Sequence, residues 1–209
     1  MLVPEQSEVV YMMESPWISP EKQVELVKKL LRFDLIKFDP THSLPLKSGG
    51  KTDVYINLRD ARNHPEAIGY ISNLFAIPLR RLGVSRFIEV PDSVSCFAGP
   101  IAINTGLPFM TIRGEKKEGR ATDAKVIGRS TEGERVCVVD DVITNGESKI
   151  VPYHVCQNLG LQITALVVLV DRQQGWEERF VQENINLPVW AGMTLCDVRR
   201  ILKEELSVG

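Results

Sequence analysis

Long apolar runs are missing from this 209-residue chain, and none approaches the roughly 20 residues a membrane-spanning helix needs. An excess of either charge is missing too. Lys and Arg total 25 against 27 Asp and Glu, a formal net charge of −2, so no overall basic character points to nucleic acid. Metal-ligand spacing is absent. Cys96, Cys137, Cys156 and Cys196 fit neither CxxC nor a zinc pattern, and two of them sit in apolar runs where Cys behaves as a small hydrophobe. They read as reduced, structural thiols. His42, His64 and His154 are scattered, without partners that would make a metal site or a triad. Repeats and low-complexity tracts are absent. The opening "MLVPEQSEVVYMMESPW" carries acids in place of a basic leader and apolar core, so the expectation is a cytoplasmic protein with no membrane or nucleic-acid partner.

What is present is the composition of a globular protein, 44% hydrophobic and 25% charged, at a length that suits one α/β domain. Residues 1–19 read as a loose arm broken by Pro4 and Pro16, and residues 20–209 as a single domain. "SPEKQVELVKKLLRFD" opens with Ser19 as N-cap and Pro20 at the first helical position, with Val24, Val27, Leu30 and Leu31 on one face. "PLKSGGKTDVYINLR" reads as short strands around a bend at Gly49 and Gly50. A helix is expected from Pro65 to a stop at Gly83. Then the pattern becomes regular: strand "RFIEVP", a helix within Ser93 to Asn104, strand "PFMTI", a long polar loop from Arg113 to Arg129, and strand "RVCVVD". A helix from Glu147 to Gly160, strands "ITALVVLVD" and "LPVWAGM", and a helix in "CDVRRILKEELS" complete it. Apolar strands alternating with helices predict a parallel sheet covered on both faces.

"RVCVVDDVITNGESK", Arg135 to Lys149, breaks that regularity. Two adjacent carboxylates, Asp140 and Asp141, follow a run of branched apolar residues, and a turn leads at once into a helix. Ligands of open parallel sheets bind beyond the carboxyl ends of the strands, and a helix N-terminus favours an anion. Gly146 allows close backbone approach. The chemistry offered is a phosphate cradle beside two acids. The plain alternative, a turn built from Asp, Thr and Asn for turn chemistry alone, accounts for one acid better than for two.

"VCVVDDVITNGES" resembles the phosphoribosyl pyrophosphate (PRPP) motif of the type I phosphoribosyltransferases. Within that superfamily the chain is most similar to the orotate phosphoribosyltransferases, through "LPLKSGGKTDVYINLR", "LPFMTIRGE" and "VVLVDRQQGWEE", in the right order over about residues 20–205. The resemblance implies a parallel sheet flanked by helices, with a small N-terminal hood and a mobile loop. It implies transfer of a phosphoribosyl group from PRPP to orotate, giving orotidine 5′-monophosphate and pyrophosphate, with Mg2+ on the pyrophosphate and no protein residue assigned as metal ligand. By resemblance Asp140 and Asp141 bind the ribose hydroxyls, and Val142, Ile143, Thr144, Asn145, Gly146, Glu147 and Ser148 complete the PRPP turn. Lys47, Arg113, Lys116 and Lys117 reach the pyrophosphate. Tyr55, Ile56, Thr144 and Arg172 face orotate. Lys117, Arg120 and Asp141 take the catalytic positions, in a homodimer whose loop reaches the partner's site.

The chain departs from the family pattern in places. "IRGEKKEGRATDAKVIG" aligns with the loop pattern Arg-Lys-Glu-x-Lys-x-His-Gly in two registers. One sets Lys117 in the catalytic lysine's place and the other sets Arg120 there; neither supplies the histidine. Cys96 and Phe97 stand where the family often has Tyr-Lys. Glu147 places a carboxylate in the phosphate turn, with Lys149 close enough in sequence to offset it. Arg172 has Asp171 and Glu177 nearby as surface partners. Leu2, Val9, Val10, Tyr11, Met12, Met13 and Trp17 are apolar residues suited to covering a partner. Two other readings stay open: a non-catalytic relative binding PRPP or a nucleotide as a regulatory ligand, and a transferase for another base.

Overall fold

The computed structural model describes residues 16–45, 50–113 and 126–207. Helix α1 (Pro20–Arg32) starts where the sequence places it, with the Ser19 hydroxyl accepting from the Lys22 N–H at 3.4 Å. Leu26, Val27 and Leu30 bury its inner face. Gln23 is buried with them because its amide donates to the carbonyls of Ile18 and Gly192, at 3.2 and 3.3 Å. Strands β1 (Ile36–Phe38), β2 (Leu44–Pro45), β3 (Lys51–Thr52) and β4 (Val54–Ile56) form two small antiparallel ladders, β1 with β4 and β2 with β3. A 3-10 helix (Leu58–Asn63) leads into α2 (Pro65–Leu82), which stops at Gly83 in the left-handed region as expected.

The main sheet follows. Its elements are β5 (Arg86–Glu89), α3 (Ser95–Thr105), β6 (Phe109–Ile112), β7 (Val126–Ile127), β8 (Arg135–Ile143), α4 (Glu147–Asn158), β9 (Gln162–Asp171), α5 (Trp176–Gln182), β10 (Val189–Thr194) and α6 (Leu195–Ser207). Six strands run in the order β10-β9-β8-β5-β6-β7, parallel except for β7, which pairs antiparallel with β6. Side-chain alternation divides the core between the two faces. Cys137, Val139, Val167 and Leu169 pack with α1, α2, α3 and α6. Val136, Val138, Leu166 and Val168 pack with α4 and α5. The predicted doubly covered parallel sheet is what these residues build.

Three expectations change, and one stretch without an expected element gains a helix. The polar stretch from Arg113 to Arg129 is not loop throughout, because Val126 and Ile127 pair with Ile112 and Thr111. Strand β8 does not stop at Asp140: it pairs onward through Val142↔Val170 and Ile143↔Asp171, since β9 continues beside it and ladder bonds come from backbone. The "QQGWEE" segment turns into helix α5, anchored by buried Trp176 and Phe180. Within the expected arm, Trp17 and Ile18 belong to the core, and Trp17 donates its indole N–H to the Trp190 carbonyl at 3.0 Å. Trp17 therefore covers its own sheet and not a partner. Residues 1–15 lie outside the described residues.

The strand order reverses direction between β5 and β8, and this topological switch opens a crevice at the strands' carboxyl ends. No helix among the described residues is long and apolar enough to cross a membrane.

Candidate active site

A cleft of about 930 Å³ opens at the switch point. The β8–α4 turn forms its floor, the segment after β5 one wall, and Tyr55, Ile56, Asn57, Arg59 and Asp60 another. Asp140, Asp141, Val142, Thr144, Asn145, Glu147, Ser148 and Arg172 all line it, so most of the sequence-selected residues converge on one site. Ile143 does not; its side chain is fully buried in the core under α4. Gly146 is buried at the helix start. Arg113 follows β6 directly. Lys47, Lys116, Lys117 and Arg120 lie outside the described residues.

The two acids have different surroundings. Asp140 is 1% exposed and both its oxygens are occupied. Oδ1 accepts from the Ser93 hydroxyl and from the Asp141 N–H, the latter at 2.7 Å, and Oδ2 accepts from the Lys149 ammonium. Lys149 is itself buried, so its charge is spent on Asp140 and not on Glu147, as the sequence had suggested. Asp140 consequently offers a ligand no unpaired carboxylate oxygen. Asp141 is half-buried and faces the cleft, with Oδ1 accepting from the Val142 N–H at 2.7 Å. Burial, and next the negative charge of Asp140, push its carboxyl up to about 7; Lys149 and the Val142 N–H oppose them.

Helix α4 begins at Gly146, whose φ of 77° is left-handed. A Cβ there would sit 2.9 Å from the Phe180 ring and 3.2 Å from the Trp176 Cβ. Glycine is thus demanded by docking of α5 under the turn as well as by the backbone, which adds to the ligand-approach argument made from sequence. The N-cap Gly146 brings no side chain to the α4 N-terminus; the Asn145 amide oxygen accepts from the Glu147 N–H at 3.3 Å. Glu147 is exposed at the cleft margin.

Arg172 leaves the end of β9, fixed by its N–H donating to the Ile143 carbonyl at 2.9 Å. Its neighbour Asp171 is not its partner: that carboxylate accepts from the Gln173 N–H at 2.7 Å and the Trp176 indole at 3.1 Å. Asp53 is taken as well, gripped by Arg199 through Nε and Nη2, both at 2.8 Å. The Nε and Nη2 of Arg172 are buried without a hydrogen-bond partner among the described residues. Burial, then the charge of Arg199, lower its affinity for its proton, with Asp53 opposing. An unpartnered buried guanidinium is costly unless a ligand anion completes it.

Ser93 and Lys149 are functional neighbours that the sequence reading did not place in the site. Nothing in the sequence marks Ser93. Lys149 had a visible signal, a basic residue one position past the motif in a helix whose start faces two acids. Cys96 and Phe97 bring no charge to the cleft; Phe97 is core, and burial raises the Cys96 thiol.

No family model matches the chain. It is 31% identical over 159 residues to the orotate phosphoribosyltransferase of Thermococcus gammatolerans, covering 75% of this chain and 82% of that protein. Among solved structures it resembles an orotate phosphoribosyltransferase from Aeropyrum pernix, with a TM-score of 0.69 and 26% identity over 88% of this chain and 99% of that one. It also resembles Leishmania donovani UMP synthase, with a TM-score of 0.74 and 25% identity; it covers 39% of that longer chain and 88% of its own length is matched. A cleft at the switch point, a helix start beside the half-buried Asp141 carboxylate, and an arginine whose Nε and Nη2 lack partners among the described residues agree with this likeness, and the chain belongs to the orotate phosphoribosyltransferase family.

Proposed function

We infer that the chain transfers the phosphoribosyl group of PRPP to orotate, forming orotidine 5′-monophosphate and pyrophosphate in pyrimidine biosynthesis. One observation carries the base half of this reading: Arg172 lines the cleft that holds the α4 N-terminus, and its Nε and Nη2 are buried without a hydrogen-bond partner among the described residues. A planar carboxylate such as that of orotate pairs with a guanidinium fork bidentately. Half-buried Tyr55 and Ile56 offer a flat apolar wall for the ring.

The sugar-phosphate half follows from the floor. The N–H groups of the Thr144 to Ser148 turn and the α4 dipole receive the 5′-phosphate. Asp141 accepts from the ribose hydroxyls, and its carboxylate lies near the positive charge that develops on the sugar as pyrophosphate departs. Lys47, Arg113, Lys116 and Lys117 are the pyrophosphate's cations in this reading, with Lys117 or Arg120 in the loop's catalytic position. Among the described residues no group of three or more His, Cys, Asp or Glu is arranged to hold a metal, and Asp140 is already paired. By family likeness Mg2+ would accompany the pyrophosphate and would supply charge neutralisation to the leaving group. Family likeness extends the reading to a cytoplasmic homodimer.

The test is direct. Purified protein mixed with PRPP, Mg2+ and orotate should deplete orotate absorbance and release pyrophosphate. Absence of turnover together with tight PRPP binding would instead indicate a ligand-binding relative.

A further inference from the structure

Lys149 lies one residue beyond the PRPP motif, in the first turn of α4, where a side chain facing the core is expected to be apolar. It is 5% exposed, and its ammonium donates to Asp140 and, at 2.9 Å, to the Ser148 hydroxyl. Its own N–H donates to the Gly146 carbonyl at 3.0 Å, which seats it on the turn itself. Buried charges persist when they are paired and hydrogen-bonded, and removal of one member leaves the other strongly unfavourable. Lys149, Asp140, Ser93 and the Asp141 N–H form one closed network beneath the cleft.

We propose that Lys149 is a positioning residue: an internal counter-cation that clamps Asp140 away from the ligand, so that Asp141 alone accepts from the ribose hydroxyls and the ribose-phosphate half of the site works without a divalent cation. The inference rests on the PRPP reading of the cleft. Its physical content is that a second free carboxylate beside the phosphate cradle would repel the 5′-phosphate. The fixed ammonium offsets that repulsion at all times and needs no metal to do so.

Ribose 5-phosphate is the discriminating probe, since it carries the diol and the 5′-phosphate but no diphosphate to bring in metal. Calorimetric titration with EDTA present, and again with millimolar Mg2+, is applied to the parent, Lys149→Met and Asp140→Asn/Lys149→Met. The parent should bind equally in both conditions. Lys149→Met should bind at least tenfold more weakly in EDTA and recover when Mg2+ takes the ammonium's place beside Asp140, an effect that loss of packing alone would not produce. The double variant removes both charges and keeps an oxygen for Ser93 and the Asp141 N–H, so it should fold and bind within threefold of the parent in both conditions. Should Lys149→Met alone fail to fold, the double variant still decides. Parent-like binding by Lys149→Met, a loss that Mg2+ does not reduce, or a folded double variant at least tenfold weaker than the parent each overturns the inference. A parent that binds neither ribose 5-phosphate nor PRPP removes the functional reading first.

Discussion

Replacing Asp141 by Asn should stabilise the protein at alkaline pH while crippling its affinity for PRPP. In the folded chain the Asp141 carboxyl is pushed up to about 7 by burial and by Asp140. An unfolded Asp titrates near 3.9. The folded state therefore holds this proton more tightly than the unfolded state does. Stability from this group is full below about pH 4, falls as pH rises toward 7, and stays low above it. A shift of about 3 units corresponds to roughly 4 kcal/mol. Asp141 is only half-buried, so solvent screening reduces the recoverable part to roughly 2 kcal/mol. Asn keeps the shape and an acceptor for the Val142 N–H. Urea unfolding of Asp141→Asn should show a gain of about 2 kcal/mol at pH 8 that shrinks steadily on acidification to pH 5. Calorimetry with PRPP and Mg2+ at pH 8 should show affinity down by about ten- to a hundredfold, the scale of a charged hydrogen bond. A stability change of the same size at both pH values, or a loss at pH 8, would refute the electrostatic account. Undiminished PRPP affinity would remove Asp141 from the sugar site.

Arg172→Met should leave the ligand-free protein as stable or slightly more so, because it deletes two buried nitrogens that have no partner among the described residues. It should raise KM for orotate at least tenfold with PRPP affinity little changed, and a parent-like KM would exclude Arg172 from the base site. Gly192→Ala should cost about 1–3 kcal/mol by overpacking. Its Cβ would meet the Ile18 Cδ1 at 2.6 Å and the Leu169 carbonyl at 2.8 Å, and an unchanged urea midpoint would show that Trp17 and Ile18 do not dock on β10. Glu147→Gly should change PRPP affinity only a few-fold, since Glu147 is exposed at the α4 N-terminus, where an acid is favourable by roughly 0.3–1 kcal/mol. A hundredfold gain in affinity would mean that its carboxylate opposes the phosphate directly.

The sequence disclosed those parts of the fold that local chemistry controls. Ser19 and Pro20 opened α1, and Gly83 closed α2, because caps and left-handed stops act within a few residues. The buried strands were legible as apolar runs, and the switch-point site followed from their alternation with helices. What stayed hidden depends on distant partners. The two-residue strand β7 has no pattern of its own and exists only because β6 offers an edge. Trp17 looked like a residue for a partner because its seat is made by Trp190, Ala191 and Gly192 at the other end of the chain.

The adjacent acids show the same division within the site. From sequence, Asp140 and Asp141 are equivalent, and both were assigned to the ribose. A strand gives successive side chains to opposite faces, so two neighbours cannot serve one ligand in the same way. Asp140 turns inward and would be an intolerable buried charge, except that the first turn of α4 brings Lys149 back over it from nine residues away. That spacing is neither the two of a strand nor the three or four of a helix; it exists only once strand, turn and helix have formed together. Burial first, and then the charge of Asp140, which Lys149 offsets only in part, are why Asp141 holds its proton so high. Arg172 follows the same logic with the sign reversed: Asp171 and Asp53 were available to it, and both are claimed by other donors. In this cleft the free groups are defined by which of their neighbours the fold has already satisfied.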